Sequence, residues 1–111
     1  MPKFLAVYTG QPDTDRAQLT PQKIADGMAA WQAWGARYKD QIVEFGGPLG
    51  KTKRVNTTGV ADASNHMAAY VIVEAESHDA AARMFENHPH FAIFPGDGVD
   101  VMPCLPIPGQ G

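Results

Sequence analysis

The chain has 111 residues, 44% of them hydrophobic and 19% charged, with a formal net charge of −3 at pH 7. That length fits one domain, which buries roughly 65% of its unfolded-chain surface and so has room for one proper core. The small, mixed charge excludes the basic surface of a nucleic-acid binder, and the opening MPKFLAVYTG has an apolar run too short for a signal peptide or a membrane span. The single cysteine, Cys104, leaves no intramolecular disulfide and fits a reducing compartment. The expectation is a cytoplasmic globular domain over 1–111, with a core of about 3–104 and an extended tail at 105–111.

Lys3 to Thr9 reads as a strand, with Leu5 and Val7 on one face and Phe4, Ala6 and Tyr8 on the other. Gly10 to Leu19 is polar and aperiodic, a loop. Thr20-Pro21 is a helix start, with Thr as N-cap and Pro at the first helical position. Ile24, Met28, Trp31, Gly35, Tyr38 and Ile42 then recur at steps of four and three, which makes an apolar stripe on a helix ending near Asp40. Gly27, Ala30 and Trp34 form a neighbouring stripe.

Ile42 to Phe45 predicts the second strand; Val43 and Phe45 are expected toward the helices and Glu44 away from them. Gly46-Gly47-Pro48 breaks it. Lys51 to Asn56 predicts a short basic edge strand, and Thr57 to His66 a hairpin connection. Met67 to Glu74 alternates and is rich in β-branched and aromatic residues, a half-buried strand. Ser77 is placed to cap a helix over the Ala-rich run Ala80 to Phe85, which must end before Pro89. Pro95-Gly96-Asp97-Gly98 turns the chain into a last alternating strand, Val99 to Met102.

Two β-α-β halves imply an α+β sandwich with both helices on one face of one sheet. The other face is predicted to carry Phe4, Ala6, Tyr8, Glu44, Tyr70, Ile72, Asp100 and Met102. That set is too apolar for open water and points to a partner subunit, with a pocket where the polar groups meet.

The opening strand KFLAVYTG, the helix-to-strand run AAWQAWGARYKDQIVEFGGPLG, the segment YVIVEAESHDAAARMFENHP and the closing GVDVMPC together resemble the YCII-related proteins. The resemblance implies a ferredoxin-like βαββαβ sandwich, an antiparallel sheet with two helices on one face, assembled as a homodimeric α/β barrel. It also implies a small bacterial-type protein, sometimes an enzyme with a His-Asp pair in a pocket; one relative is a dehydrochlorinase of chlorinated aromatics. The family's histidine falls about where Ala30 and Trp31 stand here, and no histidine precedes His66. The family's Asp-Pro-Phe/Tyr element reads His88-Pro89-His90-Phe91, so His88 takes the aspartate's place.

His88 and His90 are the foremost chemical candidates, because an imidazole titrates near neutral pH and can serve as a general base. Against this stands a structural role at the end of the second helix. Glu44 and Asp100, on alternating strands, are candidates to orient His88 or to act as acid and base themselves; ion pairing with Lys53 or Arg54 is the plainer role. Tyr8, Tyr70 and Trp31 are expected to line a ligand cleft with His90. Cys104 is expected to be a buried small hydrophobe. No His/Cys spacing fits a metal site and no glycine run fits a phosphate or dinucleotide cradle, so neither metal nor cofactor is expected.

The leading expectation is lyase- or hydrolase-type proton transfer on a small organic molecule in a pocket at the sheet face, with His88 as base. The alternatives are a non-catalytic ligand-binding or assembly module that has lost the family's His-Asp pair, and a cofactor-free monooxygenase-like enzyme.

Overall fold

A computed structural model describes residues 1–11 and 17–109. In chain order the elements are β1 (Lys3–Thr9), α1 (Pro21–Arg37), β2 (Ile42–Pro48), β3 (Thr52–Asn56), β4 (Gly59–Ala63), β5 (Met67–Glu74), α2 (His78–Arg83), α3 (Pro89–Ala92) and β6 (Gly98–Pro103). Part of the loop expected over Gly10 to Leu19, residues 12–16, lies outside the described residues.

Four strands form one antiparallel sheet in the order β2-β5-β1-β6. Each β-α-β unit therefore steps over one strand, and the two units interleave. This is the α+β arrangement of a ferredoxin-like sandwich. Residues of α1 (Trp34) and of the α2 region (Ala81, Met84, Phe85) join Phe4, Ala6, Tyr8, Val71 and Val73 in one buried cluster, so both helical segments cover the same face. Among the described residues no helix is long and apolar enough to cross a membrane.

Local signals explain the helix starts. The Thr20 side chain accepts from the Lys23 amide with Pro21 behind it, and the Ser77 side chain accepts from the Ala80 amide. α1 stops at Arg37, three residues before the expected end.

The second helical region is two pieces. Asn87 takes a left-handed φ of 56° after α2, and the chain restarts as α3 with His88 as N-cap and Pro89 at its first turn. The prolyl ring that ends one helix thus begins the next. The basic segment is also longer than a lone edge strand. β3 pairs with β4 into a hairpin of its own, with Val55 opposite Val60 and Lys53 opposite, and ion-paired with, Asp62.

The register corrects the assignment of faces. Phe4, Ala6 and Tyr8 lie under the helices, not on the opposite face. Directly opposed residues of antiparallel strands share a face, and these three stand opposite Val73, Val71 and Ala69 on one side and Pro103, Val101 and Val99 on the other. Leu5 and Val7 occupy the far face, with Ile72, Tyr70, Met102 and Asp100 as their cross-strand neighbours. Glu44 joins that set opposite Ile72. A register shift between Ile42 and Glu44 leaves Val43 in a bulge, while Phe45 packs against α1 at Gly35. Cys104 is exposed, not buried, although its amide extends the β1 ladder by donating to the Lys3 carbonyl at 2.9 Å.

Candidate functional site: an aromatic cavity over a Tyr-His pair

A cavity of about 500 Å³ opens between α1 and the β2–β5 side of the sheet. Met28, Trp31 and Gln32 of α1 form its roof, Phe45 to Pro48 of β2 one wall, Ala69 and Tyr70 of β5 another; Tyr8 and Phe94 complete it. A cavity of this size and apolar character is that of a small-molecule site. It lies on the helix side of the sheet, whereas the sequence placed a pocket on the opposite face.

The roof is shaped by two notches in α1. Gly27 and Gly35 lie four residues before and after Trp31, so all three line one side of the helix. A methyl at position 27 would overlap the Phe94 ring, and one at position 35 the Phe45 ring. The absence of side chains there seats both phenylalanines against the helix, one at each end of Trp31. Trp34, one position further round, turns inward; its Nε1–H donates to the Met84 carbonyl at 2.7 Å and its ring stacks in the core. Trp31 is therefore the cavity tryptophan and Trp34 the structural one.

Behind the cavity lies a buried aromatic cluster. The Tyr8 ring is 4.9 Å from Trp31 and 5.0 Å from His88, and His88 stands 4.6 Å from Trp31 and 4.7 Å from Trp34, all between ring centroids. Both nitrogens of His88 are engaged. Nδ1 accepts the His90 amide at 3.0 Å, the N-cap bond of α3, and Nε2 lies 3.2 Å from the Tyr8 hydroxyl. His88 is fully buried. Burial first, and the neighbouring His90 second, push its pKa down to about 4, so the ring is neutral at pH 7. Burial likewise raises the Tyr8 phenol above its ordinary value, which keeps it protonated. His90 is nearly as buried and donates Nε2–H to the Thr9 carbonyl at 2.6 Å.

Of the residues singled out from the sequence, Tyr8, Trp31, His88 and His90 come together. Tyr70 reaches the cavity lining from its far side. Glu44 and Asp100 do not approach His88. Glu44 accepts from the Tyr70 hydroxyl at 2.9 Å, which lifts that phenol's pKa, and Asp100 stands opposite Val7 on the other face of the sheet. The β-sheet itself separates Asp100 from the imidazole. The other histidines are exposed and bind main chain: His66 to the Gly10 carbonyl and His78 to the Val101 carbonyl. Among the described residues no group of three or more His, Cys, Asp and Glu side chains is placed to hold a metal ion.

Sequence reasoning missed Met28, Gln32, Phe45 and Phe94 as cavity residues. The signal that could have found the two phenylalanines was the pair of glycines spaced eight apart about Trp31, since bare helix positions mark close approach by a bulky neighbour. The cap role of His88 had a signal as well, because His88-Pro89 repeats the cap-proline order of Thr20-Pro21.

No protein-family model matches this chain, and no curated protein matches it either. Among solved structures, the chain resembles 5-chloro-2-hydroxyhydroquinone dehydrochlorinase (TftG) from Burkholderia phenoliruptrix AC1100, determined in complex with 2,5-dihydroxybenzoquinone. The two share 24% sequence identity at a TM-score of 0.56, over 90% of each chain. The likeness is one of fold.

Proposed function

We propose that this chain is a YCII-related protein whose cavity beneath α1 receives a flat, largely apolar organic molecule and supports proton-transfer chemistry of lyase or hydrolase type. The observation that carries this reading is the cavity itself: aromatic walls from Trp31, Phe45 and Phe94 over a phenol backed by a buried imidazole. In this reading Tyr8, held protonated, is the polar group that meets an oxygen of the molecule, and Trp31 is the surface on which the ring lies. His88 holds Tyr8 in place, because neither of its nitrogens is free to serve as a base. The fold neighbour is a dehydrochlorinase of a hydroxylated aromatic ring, which is the same size class of molecule.

A second reading is a binding module without catalysis, favoured by the separation of both carboxylates from His88. Titration with hydroquinone, a dihydroxylated ring that is uncharged at pH 7, followed by calorimetry, tests the site. Saturable binding that is lost in Trp31→Ala is the expected result; no binding at millimolar concentration overturns it. Chloride release from 5-chloro-2-hydroxyhydroquinone, abolished by Tyr8→Phe, separates the enzyme from the binding module. We further propose a two-fold homodimer through the sheet face that carries Leu5, Ile72 and Met102.

A further inference from the structure

We infer that Tyr8 meets the cavity's ligand as a hydrogen-bond donor, held in that role by a fixed tautomer of His88, and that the ligand offers it an uncharged acceptor oxygen. This rests on the cavity being the ligand site. The chain of reasoning begins at the backbone. An amide N–H can only donate, so the 3.0 Å bond from the His90 amide requires a lone pair on His88 Nδ1. A neutral imidazole with a bare Nδ1 carries its proton on Nε2. That proton points to the Tyr8 oxygen at 3.2 Å, so Tyr8 accepts from His88 and cannot also donate to it.

The Tyr8 hydroxyl hydrogen is thereby left for another acceptor. Among the described residues no other polar atom bonds to that oxygen, and Tyr8 is part of the cavity wall. A group that accepts from this hydroxyl completes its bonding, whereas a second donor would meet an already directed hydrogen.

The charge of the acceptor follows from the lining. None of the side chains around the cavity is formally charged, and the Glu44 carboxylate, on the far face of the sheet, is held by Tyr70. An anionic oxygen would be buried without a counter-ion, which is costly. A neutral carbonyl on a flat ring satisfies the hydroxyl without that cost. The N-cap of a four-residue helix thus sets the polarity of a site to which its own nitrogen does not belong.

Three bicyclic probes test this: 1-tetralone, which carries a carbonyl; tetralin, which lacks it; and 1-naphthoate, which is anionic. Binding is followed at the Trp31 indole signal by NMR. Wild-type protein is expected to prefer 1-tetralone to tetralin by about fivefold, the worth of one neutral hydrogen bond. Tyr8→Phe is expected to erase that preference while tetralin binds as before. The preference persisting in Tyr8→Phe would overturn the donor role, and 1-naphthoate binding more tightly than 1-tetralone would overturn the uncharged acceptor. The ¹⁵N shifts of the wild-type His88 ring give an answer that needs no variant: a protonated Nε2 is expected, and a protonated Nδ1 overturns the inference alone. Failure of all three probes to bind would overturn the ligand site and this inference with it.

Discussion

The indole of Trp34 donates to the Met84 carbonyl at 2.7 Å, joining the last turn of α1 to the turn that follows α2. Met84 lies at a helix C-terminus, where carbonyls have lost their intrahelical partners. The bond supplies one of the missing donors inside the core and locks the two helical segments side by side above the sheet. Trp34→Phe keeps most of the apolar contact but leaves that buried carbonyl unpaired, at a cost of about 1–3 kcal/mol. A lower urea midpoint with an unchanged slope is the expected result, and binding at the cavity should survive because Trp34 is not among its lining residues.

Stability should depend on pH through His88. Its folded pKa is about 4 against an ordinary value of 6.5, so between those values the unfolded chain takes up a proton that the folded chain refuses. The stabilisation is complete above about pH 6.5 and is lost as pH falls toward 4, amounting to at most about 3 kcal/mol. Urea unfolding at pH 7.0, 5.5 and 4.5 would trace it. In His88→Asn, whose side-chain oxygen can still cap α3, the slope in this window should flatten. An equal slope in that variant would assign the pH dependence to other groups.

Gly27→Ala sets two effects against each other. Alanine is favoured over glycine in a helix by about 1 kcal/mol, while displacing the packed Phe94 ring costs about 1–3 kcal/mol. The net change in stability is therefore small or modestly unfavourable. The larger consequence is at the cavity, where Phe94 must swing away from α1. A changed Trp31 emission maximum and weakened probe binding, with near-native stability, is the expected pattern. Unchanged binding would mean that Phe94 does not shape the site.

The sheet face opposite the helices presents Leu5, Ile72 and Met102 in one cross-strand row, with Met102 39% exposed. Ile72→Lys would put a charge into that row. If the face joins two copies, light scattering should give a dimer for the wild type and a monomer or aggregate for the variant. A wild-type monomer at micromolar concentration would remove the dimer.

The order along the chain of the four sheet strands and the two principal helical segments was legible in local sequence signals. Thr20-Pro21 and Ser77 carry their own capping chemistry, and the alternation of Met67 to Glu74 needs no partner to be read. These are local properties, each written within a few residues. Which face of β1 meets the helices was not local, because Phe4, Leu5, Ala6, Val7 and Tyr8 are all apolar and alternate without contrast. Only pairing with β5 and β6 decided it, and that decision moved Tyr8 from the open face to the cavity wall. The same holds for the chemistry. His88 looked like a free imidazole beside two carboxylates, yet the restart of the chain at Pro89 turned its Nδ1 to the His90 amide, and the sheet kept Asp100 on the far side. A titratable side chain declares its chemistry in the sequence, but its protonation and partners come from burial and geometry, and those exist only once distant strands have been brought together.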